Sequence, residues 1–168
     1  SFEEVDADDL LFSHETIYSA PKLIYGTQGT RNRILAVDVA RFGEDETVFT
    51  ILQSNDIIRW EQIHQEFWKH HNLMEVVGKV VDMRKEFGVE AIVIDDSGLG
   101  GGVTDRLGEM KYPVYPFNGG EKAGNPMYAN KRSEGYFRLK EQLEKRHLKL
   151  LNDSELLEQL MTIKYKFR

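Results

Sequence analysis

The chain predicts an α/β domain in which three antiparallel strands lead through a helix into parallel strands, all in one mixed central sheet flanked by helices. Three observations carry this. Strand-like runs early in the domain follow one another with only turn residues between them. A segment of helical period then precedes a fourth run that is almost wholly apolar, and a strand reached through a helix normally runs parallel to its predecessor. The 168 residues are 40% hydrophobic, which suits one domain with a sizeable core and is short for two.

Residues 1–30 have mixed polarity, with Pro21, Gly26 and Gly29 near threonines, and read as a lead-in segment packed on the domain edge. From Arg33 the run RILAVDVA is apolar and β-branched, RFGEDE supplies turn residues, and TVFTILQ resumes the strand pattern, which makes a hairpin. Asn55-Asp56 marks a second tight turn before IIRWEQIHQEF, whose alternation predicts a third strand beginning at Ile57 with one wetter face. Between His70 and Phe87, Leu73, Val76, Val77, Val80, Val81 and Met83 recur at helical spacing, and Gly88 stands where a C-cap belongs. VEAIVID then reads as a buried parallel strand, SGLGGG as a loop, VTDRLGEM as a short helix and YPVYPF as a last strand. Two helices follow the glycine-rich stretch NGGEKAGNP, at about 130–146 and 154–164, the latter capped by Asp153 or Ser154. Three meandering strands joined through a helix to parallel ones form the arrangement of the ribonuclease H-like fold.

Composition narrows the chemistry. With no cysteine the chain has no disulfide, no thiolate zinc site and no cysteine nucleophile. No apolar run approaches the ~20 residues needed to span a bilayer, and the acidic start SFEEVDADDLLF is unlike an export signal. The net charge of −6 argues against holding nucleic acid by bulk electrostatics, but basic residues gather late, at 131–132, 145–149 and 164–168. Those clusters also read as solvated helix faces.

Two carboxylates interrupt apolar strands. Asp38 lies in ILAVDVA and Asp95 ends AIVIDD, at the carboxyl end of a strand where open α/β sheets carry functional residues. Burying an unpaired carboxylate costs several kcal/mol, so a cation is expected beside each. If the first and fourth strands are adjacent and parallel, the two meet and either share a proton or are neutralised by a divalent ion, for which oxygen-only ligation favours Mg²⁺ or Mn²⁺. The plainer alternative makes Asp38 a turn-flanking or capping residue and Asp95-Asp96 the start of a loop. Asp45, in the turn RFGEDET, either reaches the same ions or is an ordinary turn residue; Asp96, facing away from Asp95, reads as a loop or helix-capping group.

Other motifs are weaker. The glycines at 98–102 lack the third glycine of a dinucleotide fingerprint, and their backbone is expected to approach substrate or the neighbouring strand; no GxxxxGK[ST] is present. The histidines at 14, 64, 70, 71 and 147 have no zinc spacing, and Met74, Met83 and Met110 fall at helical core positions.

Three segments carry a more specific likeness: VDVARFGEDET at 37–47, IVIDDSGLGGGVTDRL at 92–107, and NKRSEGYFRL at 130–139 followed by LLNDSELLEQL. Over about residues 30–168 they resemble the C-terminal nuclease domain of the large terminase subunit of tailed bacteriophages. The resemblance implies a ribonuclease H-like endonuclease that cuts concatemeric double-stranded viral DNA during genome packaging in the host cytoplasm, with the small terminase subunit and portal protein as motor partners. It implies Asp38 and Asp95 as metal ligands for two-metal hydrolysis; Asp45 is a further catalytic candidate from its place in the turn alone. Lys131, Arg132 and Arg138 are candidates for DNA-backbone contacts. The family's third acidic ligand lies in a later SPDxxDA-like segment that these residues do not include. The expectation is thus a nuclease domain at 31–168, cut short at its C-terminal end, after a 1–30 segment linking it to an ATPase domain. Two alternatives are a catalytically incomplete DNA-gripping or procapsid-docking module and a nucleotide phosphotransferase.

Overall fold

In β1 (Asn32–Asp38), Leu35 and Val37 are buried, so alternation along the strand sends Ala36 and Asp38 to the opposite face. The computed structural model from which this follows describes residues 10–19, 31–40, 46–69 and 71–166. Strand β2 (Glu46–Ser54) pairs antiparallel with β1, setting Asp38 opposite Val48, and β3 (Trp60–Lys69) pairs antiparallel with β2. The meander is therefore present.

Helix α2 (Leu73–Phe87) opens on a capping box: the Glu75 amide donates to Asn72 Oδ1 at 2.9 Å and the Asn72 amide to Glu75 Oε2 at 2.8 Å. It ends where Gly88 turns left-handed at φ 62°. Its buried face, Val76, Val77, Val80 and Met83, covers the sheet and delivers the chain to β4 (Ala91–Asp95). Strand β4 lies parallel beside β1, with Val37 level with Ile94. Helix α3 (Gly100–Glu109) and edge strand β5 (Val114–Phe117) follow; the edge tolerates Pro116, which has no N–H for a ladder. The sheet order is β5-β4-β1-β2-β3-β6, and the mixed, helix-flanked arrangement is ribonuclease H-like.

Two cores sandwich the sheet. On one face Leu35, Val37, Phe49, Ile51, Ile92 and Ile94 pack against α2 and against Val103 and Leu107 of α3. The second joins Leu11, Phe12 and Ile17 to Leu143, Leu148, Leu150, Leu157 and Leu160, with Leu52 and Trp60 packed on it. These residues come from α1 (His14–Ser19), α4 (Lys131–Glu144), β6 (Leu148–Lys149), α5 (Ser154–Leu160) and their flanks. Phe12 and Phe49 are fully enclosed, each burial stabilising by about 1.5–3 kcal/mol.

Several expectations are corrected. The third strand starts at Trp60, three residues late, because Asp56 Oδ1 accepts the amides of Ile58 (3.0 Å) and Arg59 (2.7 Å) and holds 55–59 as a turn. Gly100, Gly101 and Gly102 form the first turn of α3 rather than a loop. The last helix ends at Leu160 rather than near 164. Helix α1 lies within the stretch read as a lead-in, and β6, parallel to β3, had no counterpart in the sequence reading. Met83 is core, but Met74 and Met110 are exposed. Among the described residues, no helix is long and apolar enough to cross a membrane.

Candidate metal centre

The site follows from strand register. Val37 and Ile94 are partners on adjacent parallel strands and both face the α2/α3 core, so the next residue on each, Asp38 and Asp95, lies at the same level and faces the other way. The row continues across the sheet, with Val48 of β2 beside Asp38 and Phe117 of β5 beside Asp95. One step back lie Ala36, Thr50 and Val93. Together they line a cleft of about 190 Å³ at the carboxyl ends of β1 and β4.

Both carboxylates thus stand on one open surface. Asp38 as a whole is exposed, yet its carboxyl titrates above the ordinary value: crowding by the cleft walls is the first cause, the charge of Asp95 the second, and Arg132 acts in the opposite sense. Asp95 is anchored by the Ser97 amide, which donates to Oδ1 at 2.9 Å. The donor set is oxygen only, two carboxylates with Arg132 as the cation acting on Asp38, and suits a hard divalent cation. Among the described residues no third acidic or histidine side chain joins the pair to form a cluster able to hold a metal. Asp45 lies outside the described residues, so its placement is open.

What fixes Asp95 is the start of α3. A Cβ on Gly100 would lie 1.8 Å from the Asp95 carbonyl oxygen, so only glycine lets the helix begin there. The glycine run thus approaches the strand it follows rather than the neighbouring one. Asp96 lies just past β4: its amide donates to Phe117 O of β5 at 2.8 Å, and its Oδ1 accepts the Thr104 hydroxyl at 3.1 Å, tying α3 to the strand end.

The three cations proposed from sequence have different surroundings. Lys131 forms an ion pair with Glu121, and Arg138 Nη2 donates to Glu134 Oε1 at 2.7 Å. Arg132 is exposed, lies against Gly119, and is the cation whose charge acts on Asp38. Thr50, Phe117 and Glu134 had no part in the sequence reading of the site. Alternation around Phe49 and Ile51 could have placed Thr50 on the Asp38 face, but the others depend on tertiary approach.

No family model matches this sequence, and no curated protein does. Solved structures do. The fold is that of a group of phage enzymes' domains: the chain superposes on large terminase nuclease domains over nearly its whole length. One is the nuclease of thermophilic phage G20c, with a TM-score of 0.71 at 18% identity, covering 95% of this chain and 84% of that one. The same G20c domain with bound magnesium gives 0.71 at 19% identity, covering 97% and 85%. A K428A mutant of the nuclease domain of the large terminase subunit gp2 of bacterial virus Sf6, with manganese and beta-thujaplicinol, gives 0.73 at 16%, covering 95% and 84%.

Proposed function

We propose that the chain is a divalent-metal-dependent endonuclease acting on double-stranded DNA, and that Asp38 and Asp95 hold the metal. The observation that carries this is the level placement of the two carboxylates on adjacent parallel strands, facing an open cleft. The shared fold supports it, since neighbours with that fold are nuclease domains and include structures with manganese and with magnesium.

Two ions bound in such a site would activate a water for in-line attack on phosphorus and stabilise the leaving 3′-oxygen. Asp38, between β2 and β4, and Asp95, held by the Ser97 amide, would be the residues that hold the ions. Arg132 contributes a cation at the cleft's edge that can hold a DNA phosphate, and without a base-reading motif little sequence preference is expected. Lys131 and Arg138 are weaker DNA contacts in this reading, because each must leave a carboxylate to reach phosphate. Asp45 is a further catalytic candidate on its sequence position alone. By its sequence resemblance the domain belongs to a viral DNA-packaging motor in the host cytoplasm, with the small terminase subunit and the portal protein as partners.

The test is nicking of supercoiled plasmid. Cutting should require Mg²⁺ or Mn²⁺ and vanish in Asp38→Asn; cutting that persists in that variant, or in excess chelator, removes the metal assignment. One observation favours a second reading, a DNA-gripping or procapsid-docking module without chemistry: no third ligand joins the pair among the described residues. DNA binding without metal-dependent cutting would select it.

A further inference from the structure

Residues 118–130, between β5 and α4, begin directly after cleft-lining Phe117 and end at Asn130, the N-cap of α4, whose Oδ1 accepts the Ser133 amide at 2.9 Å. This connection is fastened to the helix it precedes. The amides of Lys131 and Arg132 donate to Glu121 O and Gly119 O, both at 2.9 Å, and Lys131 pairs with the Glu121 carboxylate. Deeper in, Glu134 is only 6% exposed, although its neighbours on α4 face solvent. Its Oε2 accepts the Gly124 amide at 2.8 Å and its Oε1 accepts Arg138 at 2.7 Å. An acid in the first turn of a helix is favoured by the dipole, but that preference needs no burial. A buried carboxylate is costly unless its bonds are made, so its place here is explained by what it holds.

The other end of the connection meets the acidic cleft. A Cβ on Gly119 would stand 3.0 Å from Arg132 Nε and 3.3 Å from Nη2, so the bare glycine backbone is the surface on which the guanidinium rests. Gly119 is two residues beyond Phe117, which flanks Asp95 in the sheet. Arg132 is thereby aimed by the connection, and the connection is held by Glu134.

Building on the proposed contact between Arg132 and DNA, we propose that Glu134 is a positioning residue: by clamping residues 118–130 through Gly124 it fixes the Gly119 platform, and so the Arg132 guanidinium, beside the carboxylate pair where a DNA phosphate enters. Glu134 itself touches no substrate.

The experiment measures affinity for a duplex oligonucleotide in chelator across a salt series, which is independent of cutting. Arg132→Ala should flatten the slope of log K against log salt by about 0.9, the loss of one phosphate contact. Glu134→Gln keeps shape, but both partners of Glu134 are donors, so the amide must turn its NH₂ against one of them. It should reproduce the slope loss of Arg132→Ala, and the double variant should lose no more than either single one. Gly119→Ala perturbs the platform without touching Glu134 and should give the same loss, which decides the matter if Glu134→Gln does not fold. If Arg132→Ala flattens the slope while Glu134→Gln and Gly119→Ala both keep the wild-type slope, or if the double variant's loss is the sum of the two, the positioning role is overturned and the DNA contact stands. An unchanged slope in Arg132→Ala overturns both.

Discussion

Asp38→Asn should make the metal-free protein more stable and the metal-saturated protein relatively less so. The sign comes from the titration of Asp38. Its pKa is raised in the folded protein, so the ionised carboxylate works against folding at neutral pH. Neighbouring strands stand ~4.8 Å apart, and two unit charges at that separation repel by about 0.9 kcal/mol at the dielectric of water. Since Asp38 is exposed, this low-end figure is the relevant one. In a domain of this length it corresponds to a Tm about 2–4 °C higher for the variant. The gain should be complete above the raised pKa of Asp38 and fade as pH falls toward the ordinary value of 3.8, where the unfolded carboxyl also takes its proton. Divalent metal at 100 times its Kd should stabilise the wild type by about 2.7 kcal/mol, roughly 5–11 °C, and the variant far less at the same concentration. Differential scanning calorimetry with and without Mn²⁺ reads both effects. A metal-free variant that melts below wild type, or one that keeps the full Mn²⁺ shift at the same concentration, would refute the reasoning.

Gly100→Ala should destabilise by at least about 2–3 kcal/mol in urea titration, because its Cβ would lie 1.8 Å from a backbone oxygen that cannot swing away; a loss under 1 kcal/mol would show that α3 shifts freely. Glu134 titrates below its usual value, chiefly through the Gly124 amide and also through Arg138, against an opposing effect of burial. Its contribution is therefore present above about pH 4.5 and is lost as pH falls through the depressed folded value. The Tm gap between wild type and Glu134→Gln should narrow below pH 4.5, and a constant gap from pH 7 to pH 3 would contradict this.

The strand meander, the crossover helix and the parallel fourth strand were legible in the sequence because each is long or strongly patterned. The apolar runs ILAVDVA and AIVID, each broken or ended by a carboxylate, sufficed to put Asp38 and Asp95 together once β4 was taken as parallel to β1. Helix α1 and β6 were not legible: six and two residues give no resolvable period, and both are held by packing into the second core. The IIRW stretch misled because alternation resembles a strand wherever it occurs, whereas Asp56 captures the following amides and forces a turn, leaving Ile57 and Ile58 exposed. Glu134 is, in the sequence, one charged residue among many in a helical segment. Its burial depends on a connection that folds back over α4, and no local pattern encodes that.

The central claim is that Asp38 and Asp95 together hold divalent metal, and anomalous scattering from crystals grown with Mn²⁺ tests it most directly. The account predicts a manganese peak in contact with carboxylate oxygens of both residues, absent from Asp38→Asn crystals grown in the same way. Manganese bound elsewhere while the space between two ordered carboxylates stays empty at saturating concentration would contradict it.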